Sequence, residues 1–192
     1  MTSPSSQPAA PAFRWPAGRV LLRTFCPADE PAFLAYRADA DVARYQGWEP
    51  YSPAQAHAFV QVQCQAAIPP APGDWVQIGI VLAATGELIG DCALHLTADD
   101  PRLGEIGITL APAWQGRGYA AEALRALLDY CFGSLGLHRV LAITDCLNLA
   151  SVRLLAGVGM RQEGHFRQHV WFKGRWSDEY LYAMLGAEWL TR

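Results

Sequence analysis

From Gly104 to Ala121 the chain reads Gly-Glu-Ile-Gly-Ile-Thr-Leu-Ala-Pro-Ala-Trp-Gln-Gly-Arg-Gly-Tyr-Ala-Ala: an apolar strand, a proline stop, a glycine-rich turn and the opening of a helix. Such a turn leaves several main-chain N–H groups without partners and aims them, with the positive end of the helix dipole, at one spot. The chemistry this suits is capture of a phosphate or pyrophosphate by main chain. Glycines at 116 and 118 let the backbone come close to an anion and take unusual dihedrals. Arg117 between them has two readings, a charge-assisted phosphate contact or a solvated guanidinium. His165 and His169 lie at even spacing on a strand near the end of the chain, as a base, as substrate contacts or as surface residues. No His/Cys/Asp cluster has metal-ligand spacing and no nucleophile triad is apparent, so no metal is expected.

The elements that must hold these residues follow from pattern. Arg19–Phe25 alternates as a first strand, and Pro27 and Asp29 open a helix through about Arg37. Ser52-Pro53-Ala54-Gln55 is a capping box with proline at the first helical position, starting a helix expected to reach about Ala67. Between them, the aromatic segment Tyr45–Tyr51 either packs a loop onto the core or walls a substrate cleft, with Trp48 and Tyr51 as its large side chains. Trp75–Ala84, Glu87–Thr97 and Leu103–Ala111 read as three antiparallel strands joined by short turns. The helix after the glycine turn carries Ala121, Leu124, Leu128, Cys131 and Leu135 on one stripe and ends at Gly136. His138–Asp145 then forms a strand parallel to Leu103–Ala111, a βαβ unit. A short helix follows Asn148, and a last hairpin turns at Lys173-Gly174-Arg175.

The fold class expected is therefore α+β: a mostly antiparallel central sheet with one parallel pair, flanked by helices. Residues 1–17, rich in Pro, Ser and Ala, read as a mobile arm, and 18–192 as a single domain. A formal charge of -3 gives no basic stripe for nucleic acid. The start of the chain lacks a signal-peptide pattern and no apolar run is long enough to span a membrane. Five scattered cysteines without a C-x-x-C pair are expected as free thiols, mostly buried, in a reducing cytoplasm.

Two ligands compete for the glycine turn. Gly116-Arg117-Gly118-Tyr119-Ala120-Ala121 fits the dinucleotide fingerprint G-x-G-x-x-A, and Asp145 ends the next strand. That fingerprint should follow its strand directly, whereas Pro112–Gln115 intervenes, and only one βαβ unit is present. The longer match is Gln115-Gly116-Arg117-Gly118-Tyr119-Ala120 to Q/R-x-x-G-x-G/A, the phosphate loop of the GNAT superfamily of acyl-CoA-dependent N-acyltransferases. Glu105-Ile106-Gly107, Leu137–Val140, Asn148–Ser151, Gly159–Gly164 and Gly174–Tyr180 follow in the matching order. Together they resemble the branch that includes the ribosomal-protein N-terminal acetyltransferases, over about Arg19 to Leu185.

This resemblance implies acetyl-CoA as co-substrate and direct attack of a primary amine on its thioester in a ternary complex. The pyrophosphate would lie on Gln115, Gly116, Arg117, Gly118, Tyr119 and Ala120. The pantetheine arm would pair with backbone at Ile108, Thr109 and Leu110, where an N–H could also stabilise the oxyanion. Asn148 would contact the pantetheine or cap the following helix. Ser151 would protonate the departing thiolate, because the tyrosine that many relatives use has Leu155 in its place. Glu105, alternating with Ile106 on its strand, is the expected base. The carboxylates that some relatives carry near Ile143 and Val170 are missing here. Trp48, Tyr51, His165, His169 and Trp171 are candidate acceptor contacts. The acceptor class is a protein N-terminus or a small amine, and a homodimer through the final strands is compatible. Alternatives are a non-catalytic acyl-CoA-binding module, or an acyltransferase for a larger donor such as succinyl-CoA.

Overall fold

The computed structural model describes residues 13–192. The strands are β1 (Arg14–Ala17), β2 (Val20–Arg23), β3 (Trp75–Leu82), β4 (Leu88–Leu96), β5 (Leu103–Leu110), β6 (Arg139–Asp145), β7 (Arg161–Phe172) and β8 (Arg175–Leu185). The helices are α1 (Glu30–Arg37), α2 (Ala40–Ala43), α3 (Pro53–Gln63), α4 (Tyr119–Asp129), α5 (Leu149–Gly157) and α6 (Gly186–Leu190). One sheet holds all eight strands in the order β1-β2-β3-β4-β5-β6-β8-β7. Neighbours are antiparallel except β5 and β6, the parallel pair that the helical crossover of α4 requires. This is the mixed architecture expected.

Helices cover both faces, which is why β3 and β4 are buried nearly throughout. On one face Leu124, Leu127 and Leu128 of α4 pack on Ile78, Cys92, Leu94 and Val140. Each such leucine removed from water contributes roughly 1.5–3 kcal/mol. On the other, Phe33 and Tyr36 of α1 join Ala56 and Val60 of α3 over Phe25 and Leu88. Asp91, the residue before Cys92, points to this second face. It accepts Arg37 at 2.8 Å and the Tyr36 hydroxyl at 2.5 Å. Burial, and then the Asp91 carboxylate, push the Tyr36 hydroxyl well above its usual range, so it stays a donor.

The capping box forms as read: Ser52 N–H donates to Gln55 Oε1 at 2.8 Å, and Gln55 N–H to Ser52 Oγ at 3.3 Å. α3 stops at Gln63 rather than about Ala67, because Gln65 and Ala66 donate three residues back and tighten the chain out of the helix. α4 is followed by a π-helical turn, Tyr130–Ser134, before Gly136 ends the segment at φ +64°. Residues 1–12 of the expected arm lie outside the described residues. Arg14–Ala17, assigned to that arm from composition, instead form edge strand β1. The turn at Gly18 (φ +59°) folds it onto β2, and Phe13 and Trp15 pack on Tyr130 at 4.8 and 5.3 Å. Among the described residues no helix is long and apolar enough to cross a membrane.

Candidate active site

β5 and β6 part company halfway. They pair at Leu103–Arg139, Gly104–Val140 and Glu105–Leu141 only, after which β5 runs on to Leu110 and β6 to Asp145. Each strand keeps its other neighbour to the end, Gly90–Leu110 for β5 and Asp145–Glu179 for β6, so the sheet opens without either half losing its ladder. The result is a cleft of about 750 Å³ between Ile106–Leu110 and Ala142–Asp145.

The backbone of β5 has a definite polarity there. Ala111 N–H donates to Ile89 O, and the Thr109 carbonyl lies so close to β4 that a Cβ on Gly90 would meet it at 2.2 Å. Strand alternation then turns the main-chain groups of Ile106, Ile108 and Leu110 into the cleft. Of the three residues expected to pair with a pantetheine arm, Ile108 and Leu110 present backbone to it and Thr109 presents its backbone to β4. Gln115 Nε2 holds the Leu110 carbonyl at 2.9 Å, tying the glycine turn to the strand end.

The turn itself has Gly116 at φ +70° and Gly118 at φ +85°, the latter as N-cap of α4 with no side-chain cap. The first N–H groups of α4 are therefore left for a ligand. Gln115, Gly116, Gly118 and Ala120 line the cleft. Arg117 and Tyr119 do not: Arg117 is exposed with its guanidinium 5.4 Å from the Trp114 ring centre, and Tyr119 meets the same ring edge-on. Arg19, which sequence reading passed over, braces the turn from the β1–β2 loop. It pairs with Glu122 at 2.6 Å, donates to the Arg117 carbonyl at 3.0 Å and lies over the Tyr119 ring.

Asn148 and Ser151 stand on the opposite wall, both lining the cleft. Asn148 Oδ1 accepts Ser151 N–H at 3.2 Å, so it caps α5 while its amide nitrogen remains a donor. Leu155 is buried below them.

Glu105 is half-buried at the point where the strands part, on the opposite side of β5 from the core residue Ile106, and outside the cleft lining. Burial pushes its carboxyl up from the usual range; His95 on β4 pulls it down and Glu179 pushes it up further. Glu179 does line the cleft, held by His169 Nδ1 at 2.7 Å. Asp145, also in the wall, accepts Arg175 at 2.8 Å and the Leu147 N–H at 2.7 Å. The buried Ser177 Oγ beside them has no partner among the described residues. These three polar residues were missed; Asp145 at a strand end was the one local signal.

The aromatic and histidine candidates scatter. Trp48 lies over the Arg37 guanidinium at 3.6 Å and Tyr51 packs on Phe33, both away from the cleft, which Asp41, Tyr45 and Gln46 line instead. Trp171 is exposed against Trp176, with its neighbours Val170 and Phe172 facing the cleft. A bulge between Phe166 and Val170, with Gln168 at φ +46°, breaks the even spacing of the histidines. His169 meets Glu179, while His165 meets Asp178 on the other side of β8.

A strand-edge slot that ends at a main-chain anion turn fits a long thioester bearing a pyrophosphate, and comparison with known proteins agrees. Residues 19–161 match the acetyltransferase (GNAT) domain model. The chain is 33% identical over 172 residues to the uncharacterized N-acetyltransferase YnaD of Bacillus subtilis, covering 89% of this chain and 96% of that one. It is 32% identical over 84 residues to the ribosomal protein uS5-alanine N-acetyltransferase of Escherichia coli, 44% of this chain and 43% of that one. A GNAT-family acetyltransferase structure from Bacillus anthracis superposes with a TM-score of 0.82 at 30% identity, covering 92% of this chain and all of that one. The chain belongs to the GNAT family and is an acyl-CoA-dependent N-acetyltransferase.

Proposed function

We propose that the protein transfers the acetyl group of acetyl-CoA to a primary amine, a protein N-terminus or a small molecule, by direct attack in a ternary complex. What supports this reading most is the unpaired edge of β5 running into the glycine turn. It offers the pantetheine arm a strand partner and the pyrophosphate a nest of N–H groups in one continuous track. The amine nitrogen attacks the thioester carbon, Glu105 takes the proton that nitrogen sheds, through a water where the carboxylate does not touch it, and a β5 N–H such as that of Ile108 faces the oxyanion. The C–S bond then breaks and Ser151 hydrogen-bonds or protonates the leaving thiolate. The amine enters from the side of Asp41, Asp145 and Glu179, whose carboxylates, already paired with Arg44, Arg175 and His169, offer it hydrogen-bond acceptors. All five cysteines are free thiols, consistent with the cytoplasm as the place of work.

The test is release of CoA thiol with a panel of N-terminal peptides and polyamines. Glu105→Gln is expected to lower kcat about 10²- to 10⁴-fold with little change in KM for acetyl-CoA. Ser151→Ala is expected to lower kcat by a smaller factor. Full turnover in both variants would remove these assignments, and tight CoA binding without transfer to any amine would favour the non-catalytic module.

A further inference from the structure

Behind the cleft wall, three donors of different chemistry converge from three elements. Cys146 leads from β6 toward α5, His165 is on β7 and Asp178 is on β8, and their ligand atoms all lie within 4.8 Å of one another. The sequence hides the group, because separations of 19 and 13 residues fit no local metal motif. We propose that Cys146, His165 and Asp178 form a zinc site that staples the Asp145–Asn148 segment to the last hairpin.

The donor set selects the metal. A thiolate, an imidazole and a carboxylate suit zinc, and three protein ligands leave a fourth position for water. With zinc–ligand bonds of about 2.0–2.3 Å, tetrahedral donors stand roughly 3.3–3.7 Å apart. The longest separation needs to contract by about 1 Å, while His165 Nε2 and Asp178 Oδ2, now hydrogen-bonded at 2.7 Å, need to open by a little under 1 Å as zinc replaces the proton between them, both within reach of side-chain rotation. Its backbone is already fixed: Cys146 N–H donates to the Asp178 carbonyl at 3.0 Å, and His165 pairs in register with Tyr180. An outer contact orients Asp178 as a metal ligand. Asp178 Oδ1 accepts the Gln168 N–H at 2.9 Å, a bond made possible by the bulge in β7, and leaves Oδ2 facing His165 Nε2 at 2.7 Å. The Tyr180 ring meets the His165 ring edge-on at 5.0 Å. His165 has 42% of its side chain exposed, which gives the ion a route in and the fourth ligand a place.

On binding, the Cys146 S–H proton passes to solvent as the zinc–sulfur bond forms, and no redox step is involved. The consequence is mechanical. Cys146 follows the cleft-wall residue Asp145 and precedes Asn148 by two, so the ion would tie both to β7 and β8.

The experiment uses the full chain, freed of metal with a chelator and titrated with Zn²⁺ against a chromogenic competitor, then with Co²⁺ as a spectroscopic stand-in. One equivalent of Zn²⁺ per chain and a thiolate-to-cobalt charge-transfer band are expected. Cys146→Ser should abolish the band, and His165→Ala and Asp178→Asn should each weaken binding at least about tenfold. Cys64→Ser, at a half-exposed thiol elsewhere, should change neither reading. Absence of the band in the wild type, or its loss in Cys64→Ser with persistence in Cys146→Ser, would overturn the site. The wild-type spectrum decides even where a variant fails to fold.

Discussion

The base role proposed for Glu105 falls on a carboxyl that burial makes costly to ionise. Desolvation destabilises its carboxylate, His95 offsets part of this, and Glu179 adds like-charge repulsion, so the group binds a proton more tightly than a solvated glutamate. A base must be deprotonated to act, so its competent fraction falls as pH drops through the raised pKa. The acid limb of kcat/KM should therefore inflect above the ordinary glutamate value of about 4.3, and Glu105→Gln should remove that inflection while leaving the one set by the amine. A limb identical in the two enzymes would exclude Glu105. That Asn148 and Ser151 share a cleft wall was legible because they sit beside a local signal, the helix start at Asn148, whereas the alternation that was to turn Glu105 into the cleft leaves it outside the lining. Asp145, Ser177 and Glu179 were not legible, since the register of β6 with β8 sets Asp145 opposite Glu179 and that of β7 with β8 sets Val170 opposite Ser177.

At the scale of elements, local chemistry again separates what could be read from what could not. The capping box of α3, the glycines before α4 and the meander β3–β5 are written in adjacent residues. β1 is not: its composition is that of a loose arm, and it is held as an edge strand by its ladder to β2 and by Phe13 and Trp15 packing on Tyr130, more than a hundred positions away. The β1–β2 loop then has work that composition does not suggest, since Arg19 ties it to the glycine turn. Arg19→Ala should leave the fold intact, because exposed ion pairs contribute little to stability. It should raise KM for acetyl-CoA roughly 3- to 10-fold, the worth of one or two lost hydrogen bonds to an ordered loop, with kcat nearly unchanged. Equal falls in kcat and kcat/KM would assign Arg19 a different role.

Across the whole molecule, the buried Arg37–Asp91 pair fastens helix α1 to the middle of the sheet, with Trp48 over the guanidinium. Removing one charge strands the other. Asp91→Asn should cost about 3 kcal/mol or more and lower Tm by roughly 6–12 °C in a thermal melt. An unchanged Tm would mean that the buried Arg37 guanidinium does not depend on the Asp91 charge. The parted strands β5 and β6 have a consequence of another kind. A ligand met by main-chain N–H and C=O groups is met by the atoms every amino acid shares. Exchanging Ile106, Ile108 or Leu110 for another side chain of similar bulk alters packing but not the row of donors and acceptors. On the mechanism proposed above, side chains along this track can therefore be exchanged while the main-chain groups offered to acetyl-CoA stay the same.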